Sequence, residues 1–128
     1  MSGAENAVLA MFRWWNAAYA ADEFTAEAFA RHFVADVIFT VNGNVRGRDC
    51  AELAASFRRV KAATRDVRLV LPVVESFAAN DRIFVQYRVE AVTDDGPAAE
   101  EAMAWAALAP DGRIARMTVM SRDLPATP

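Results

Sequence analysis

The chain has 128 residues, of which 55% are hydrophobic and 24% charged, with a formal net charge of -3. That length supports one domain whose core needs neither disulfides nor metal to hold it. The acidic balance excludes non-specific nucleic-acid binding, which requires a basic footprint, and a single cysteine, Cys50, excludes an intrachain disulfide. Residues Met1 to Asn6 carry no basic segment leading into an apolar run, and no apolar stretch reaches membrane-spanning length. A cytoplasmic domain without a membrane partner is the expectation.

In chain order, Ser2-Gly3-Ala4-Glu5 has capping-box spacing and predicts a helix from near Gly3 to about Ala21. Val8, Phe12, Trp15 and Tyr19 follow one another at steps of four, three and four, so they share its buried face. Asp22-Glu23-Phe24-Thr25 breaks that helix, and a shorter one is predicted over 26–33 with Phe29 and Phe33 inward. Residues 37–41, Val-Ile-Phe-Thr-Val, read as a strand. Asn42-Gly43 then calls for a type I′ hairpin turn into a return strand at 45–48. Asp49 caps a third helix that ends near Thr64, with Cys50, Leu53, Ala54, Phe57 and Val60 on its apolar stripe.

Four strands are predicted after it, over 66–77, 82–93, 98–109 and 113–123, separated by turn-forming Asn, Asp, Gly and Pro residues. Pro72 cannot donate to a ladder, which puts the first of the four at a sheet edge. Alternation assigns Ile83, Val85, Tyr87 and Val89, then Met103, Trp105 and Ala107, then Met117 and Val119 to the inner face.

The order helix, helix, hairpin, helix, four strands resembles the nuclear transport factor 2-like superfamily, in particular its SnoaL-like branch of polyketide cyclases and ketosteroid isomerases. The most specific pieces are Phe33-Val34-Ala35-Asp36-Val37-Ile38-Phe39 and the Arg46-Gly47-Arg48-Asp49 approach to the third helix. The resemblance implies a single α+β domain over 1–128, a cone-shaped, curved, mixed or antiparallel sheet of about six strands wrapped around three N-terminal helices. It does not carry the isomerase chemistry. The family's general-base carboxylate falls on Val41, its oxyanion-hole acid near Trp105, and its helix-one tyrosine near Trp14 or Trp15.

The inner residues describe either a filled core or a ligand pocket lined by Trp15, Tyr19, Phe39, Val41, Phe57, Val85, Tyr87, Met103, Trp105 and Met117. The family's cone favours the pocket. Tyr19, His32 and Tyr87 are the candidate polar or catalytic groups beside it. Asp36 reads as an acceptor of backbone N–H bonds, and the basic cluster Arg58, Arg59, Lys61, Arg65 and Arg68 as a helix end. One histidine and one cysteine argue against a metal site, and no cofactor motif is present. Ala104, Ala106, Thr118 and Met120 are expected on an apolar outer sheet face that a second copy covers as a homodimer. The expected function is binding of a small apolar molecule, with isomerase- or cyclase-type chemistry as its enzymatic form. The alternative is a non-catalytic association module.

Overall fold

The computed structural model describes residues 5–125. Asn6 caps the first helix, α1 (Ala7–Ala21), by accepting the Leu9 N–H at 3.0 Å. The predicted start near Gly3 falls outside the described residues. At its other end Asp22 takes a left-handed conformation (φ 58°), and its N–H reaches back to the last carbonyls of the helix.

The second helix, α2 (Ala26–Ala30), is shorter than the predicted 26–33. Phe33 instead opens strand β1 (Phe33–Val41). The cause lies across the sheet. Arg113 donates to the carbonyl oxygens of Ala30 and Phe33, at 3.0 and 3.5 Å, and the Ile114 N–H takes the His32 oxygen at 2.8 Å. These contacts draw the chain into parallel pairing before α2 can add another turn.

Asn42 and Gly43 both have positive φ, 51° and 83°, and join β1 to β2 (Asn44–Gly47). Asp49 then caps α3 (Cys50–Ala63) through the Glu52 N–H at 2.8 Å. Gly47 is required here by space. A Cβ at that position would lie 2.8 Å from the Leu53 backbone nitrogen.

The predicted strand 66–77 divides into β3 (Asp66–Leu69) and β4 (Glu75–Ala79), with Pro72 in the gap. Both pair antiparallel with β5 (Arg82–Thr93), and Val70 and Val74 still donate to Arg88 and Gln86 across the interruption. A donor-less proline breaks the ladder locally while the flanking residues keep the register. Strands β6 (Gly96–Leu108) and β7 (Ile114–Asp123) complete one seven-stranded sheet ordered β2-β1-β7-β6-β5-β3, with β4 also on β5. Among the described residues only the β1–β7 pair is parallel, so the sheet is mixed and the architecture is the α+β one expected.

Helix α1 is fastened to the β3–β4 edge rather than merely resting on it. Asn16 exchanges two hydrogen bonds of 2.9 Å with the Leu69 backbone, as a neighbouring strand would, and Asn6 donates to Ser76 at 2.8 Å. A helix side chain thus satisfies part of an exposed edge. The core lies between the helices and the inner face of the sheet. Val8, Phe12 and Trp15 of α1 meet Phe29, Phe33, Leu53, Val85 and Ile114, all of them buried.

One strand faces opposite to expectation. Ala104 and Ala106 are 2% and 0% exposed, whereas Met103 and Trp105 are 46% and 39% exposed. Register explains the inversion. Ala104 stands opposite Val85 and Val119, and Ala106 opposite Ile83 and Met117, all on the inner face. The aromatic rings carried by α1 and α2 already occupy the space facing this part of β6, so the strand turns Ala104 and Ala106 inward and its bulky residues out. Met103 and Trp105 therefore leave the expected pocket, and Ala104 and Ala106 leave the expected outer face. Thr118 and Met120 stay on the outer side, Met120 61% exposed.

Candidate functional site

Between α1, α3 and the inner face of β5, β6 and β7 lies a cavity of about 390 Å³. Its inner end is aromatic and sulfur-bearing, formed by Met11, Phe12, Trp15, Phe29, Phe33, Phe39, Phe57 and Met117. These rings brace one another. Phe29 and Phe57 stack at 5.7 Å, and Trp15 and Phe39 each meet Phe57 edge-on, at 5.7 and 5.8 Å. Such mutual contact fixes the shape of the wall without filling the middle. The room comes from the opposite wall, where Ala91, Ala98 and Ala102 offer only methyl groups.

Polar groups gather toward the other end: Arg46 from β2, Thr64 closing α3, Thr93 ending β5, Glu100 from β6 and Ser121 from β7. The cavity therefore grades from an aromatic floor to a charged mouth.

Of the expected lining residues, Trp15, Phe39, Val41, Phe57, Tyr87 and Met117 border this space. Val85 does not. It is wholly buried beneath the floor, two residues before Tyr87 on the same face of β5. Met103 and Trp105 lie on the other side of the sheet.

Tyr19 serves as a strut behind the wall. The Thr64 hydroxyl donates to the Val60 oxygen at 2.7 Å, so the Tyr19 hydroxyl is the donor in its 2.7 Å bond to Thr64 Oγ1. Lys61 completes the clamp, donating to the Tyr19 carbonyl and lying 4.6 Å from the centre of its ring. His32 stands outside the cavity, stacked on Trp14 with ring centroids 4.8 Å apart. Burial, and then the charge of Arg31, lower its pKa below the usual 6.5. Asp36 is exposed and has no hydrogen-bond partner among the described residues, against the expectation that it accepts backbone N–H groups. The basic cluster holds the scaffold together: Arg58 donates to the Phe24 carbonyl, Arg65 pairs with Asp94 and Arg68 with Glu90.

Tyr87 differs from the other candidates. It is buried, its ring lies 4.6 Å from that of Phe12, and its hydroxyl has no protein partner among the described residues. No fully enclosed side-chain polar atom among those residues lacks a partner, so this unpaired hydroxyl opens into the cavity. The Trp15 indole N–H is in the same position. Burial, and then the Glu100 carboxylate, push the Tyr87 phenol far above its ordinary range, so it remains a neutral donor at all physiological pH.

Glu100 and Arg46 were not among the expected site residues. Glu100 is half-buried and makes neither a hydrogen bond nor an ion pair among the described residues. Burial first, then the charge of Asp123, raise its pKa, and Arg46 opposes them. Glu100 stands directly across from Asp123 on β7 and from Val89 on β5, which places it diagonally from Tyr87 on the inner face. Diagonal neighbours on an antiparallel pair lie roughly 7–8 Å apart.

Comparison with solved structures settles the architecture. An NTF2-like protein of unknown function from Exiguobacterium sp. 255-15 superposes with a TM-score of 0.72 at 18% identity, covering 88% of this chain and 95% of that one. The fold is NTF2-like. A protein with a ketosteroid isomerase-like fold from Catenulispora acidiphila, in complex with trimethylamine, gives a TM-score of 0.68 at 15% identity over 82% of this chain and 79% of its own. TerC, co-crystallised with polyporic acid, gives 0.69 at 19% identity over 88% and 86%. Proteins described in terms of SnoaL-like isomerases and polyketide cyclases share this NTF2-like fold as well. No protein-family model and no curated protein matches the sequence. Among the described residues no helix is long and apolar enough to cross a membrane.

Proposed function

We propose that this NTF2-like chain binds a small, mostly apolar molecule in the cavity between its helices and its sheet. The observation that carries the reading is the hydroxyl of the buried Tyr87 side chain, which has no protein partner among the described residues and is open to an aromatic space of about 390 Å³. That volume falls within the roughly 300–1,000 Å³ of small-molecule sites. A donor left open in an apolar wall offers a ligand one fixed polar contact. Two neighbours crystallised with small organic molecules support the same reading. The isomerase- or cyclase-type use of such a pocket would draw on Tyr87 to hold a developing oxyanion and on Glu100, the nearest carboxyl group, to move a proton.

Thermal unfolding with a panel of bicyclic apolar ligands tests the binding. A ligand at about 100 times its Kd adds about 2.7 kcal/mol of stability. The wild-type melting point is expected to rise, and Val89→Trp, which fills the cavity from β5, is expected to abolish the rise. An unmoved wild-type melting point, or equal rises in both proteins, contradicts the reading.

A second reading, association with another copy, rests on the outer face. Register aligns Phe77, Phe84, Trp105 and Thr118 in one row across β4, β5, β6 and β7, with Met103 and Met120 beside them. Phe77, Met103, Trp105 and Met120 are all exposed. Contiguous apolar surface of this kind marks an interface. The Glu101–Arg122 ion pair (3.1 Å) on the same face leaves it with charges of both signs, which is compatible with a self-complementary contact. The homodimer is therefore proposed through Phe77, Met103, Trp105, Thr118 and Met120, in place of the alanines that face inward.

A further inference from the structure

Glu100 and Glu101 are adjacent carboxylates with opposite circumstances. Glu101 faces outward and is engaged by Arg122 at 3.1 Å and Gln86 at 3.2 Å. Glu100 faces the cavity, half-buried, without a hydrogen bond or ion pair among the described residues. The charged groups that bear on it are Asp123, directly opposite on β7, and Arg46 on the edge strand β2, while β5 places Val89 across from it. Arg46 is exposed and has no carboxylate within ion-pair distance among the described residues. The lining itself carries one carboxylate, Glu100, and one guanidinium, Arg46, and Asp123, beside Glu100 on β7 but outside the lining, adds a second negative charge next to it.

Below that mouth lie the rings of Trp15, Phe57 and Tyr87, an apolar bed for a hydrocarbon body. The Tyr87 side chain is more than nine-tenths buried, and its hydroxyl, without a protein partner among the described residues, is open to the same space, an independent sign that a ligand completes the site.

We propose that the mouth of the cavity recognises the protonated amine of an apolar ligand. Glu100 receives the ammonium group, Asp123 stands as the outer countercharge, and the aromatic floor holds the hydrocarbon body. Glu100 is then the residue that sets charge preference, and apolar carboxylic acids are the class the site rejects. This assignment rests on the small-molecule reading of the cavity.

The test uses three probes of nearly equal bulk, 2-naphthylmethylamine, 2-naphthylmethanol and 2-naphthoate, titrated into the 128-residue chain by calorimetry. The amine is expected to bind about tenfold more tightly than the alcohol, the effect of about 1.4 kcal/mol, and the carboxylate weakest of the three. Glu100→Gln is expected to remove the amine's advantage while leaving the alcohol's affinity within about twofold. Amine affinity is also expected to grow as rising pH ionises Glu100, at a higher pH than an ordinary glutamate, while alcohol affinity stays level. A carboxylate that binds as well as the amine, or an amine preference that survives Glu100→Gln, overturns the charge assignment and leaves the cavity reading intact. Failure of all three probes to bind overturns both.

Discussion

The two tyrosines flanking this site carry the same chemistry and do different jobs. Tyr19 spends its proton on Thr64 and so ties the start of the chain to the end of α3. Tyr87 keeps its proton available to the cavity. Tyr19→Phe is therefore expected to cost about 1 kcal/mol of stability in urea unfolding with ligand affinity unchanged. Tyr87→Phe is expected to leave stability nearly level, or raise it, and to weaken oxygen-bearing ligands about fivefold in the same titration. His32 contributes a pH dependence instead. Burial against Trp14 holds its folded pKa below the usual 6.5, so the unfolded chain takes the proton first. Stability should thus fall as pH drops below about 6.5. The slope of melting temperature against pH is expected to flatten in His32→Gln.

At the scale of elements, local chemistry carried most of the message. Asn42-Gly43, the Asp49 cap and Gly47 mark the hairpin and α3 because a positive φ, an orphan N–H and a close approach to Leu53 each demand a particular residue. What local chemistry could not set was the phase of β6. An alternation of Ala with Met, Trp and Glu states which residues share a face, not which face is inside, and bulk is a poor guide when facing helices already supply the rings. That phase also concealed the site. With Met103 and Trp105 inward, Glu101 would line the cavity and Glu100 would face solvent. With the alanines inward, Glu100 lines it. The alanine run at 102, 104 and 106 was the available signal, since small side chains facing a ring-filled core keep the chain from overpacking. Ala106→Leu is accordingly expected to cost about 1–3 kcal/mol in urea unfolding. Ala107→Leu, one residue on and facing out, is expected to change stability by less than about 0.5 kcal/mol.

Across the whole molecule, one sheet serves two surfaces. Its inner face closes around the cavity, and its outer face presents Phe77, Met103, Trp105 and Met120 to solvent. The broad plan, helices over a curled mixed sheet, was legible because turn residues spaced the C-terminal strands evenly. The outer surface was legible only as a need for cover, since its membership depends on the same β6 phase. Light scattering after gel filtration is expected to return twice the chain mass for the wild type and the single-chain mass for Trp105→Glu combined with Met120→Glu. A wild type that elutes as a monomer at every concentration contradicts the homodimer.

The two faces also make the central claim directly measurable, because the methionines divide between them. Met11 and Met117 border the cavity, while Met103 and Met120 lie outside on the far side of the sheet. With methionine methyl groups labelled with carbon-13, a naphthalene probe titrated into the protein should shift the Met11 and Met117 resonances through its ring current. The Met103 and Met120 resonances should stay in place. Shifts confined to Met103 and Met120, or none at any position at saturating probe, would contradict an interior binding cavity.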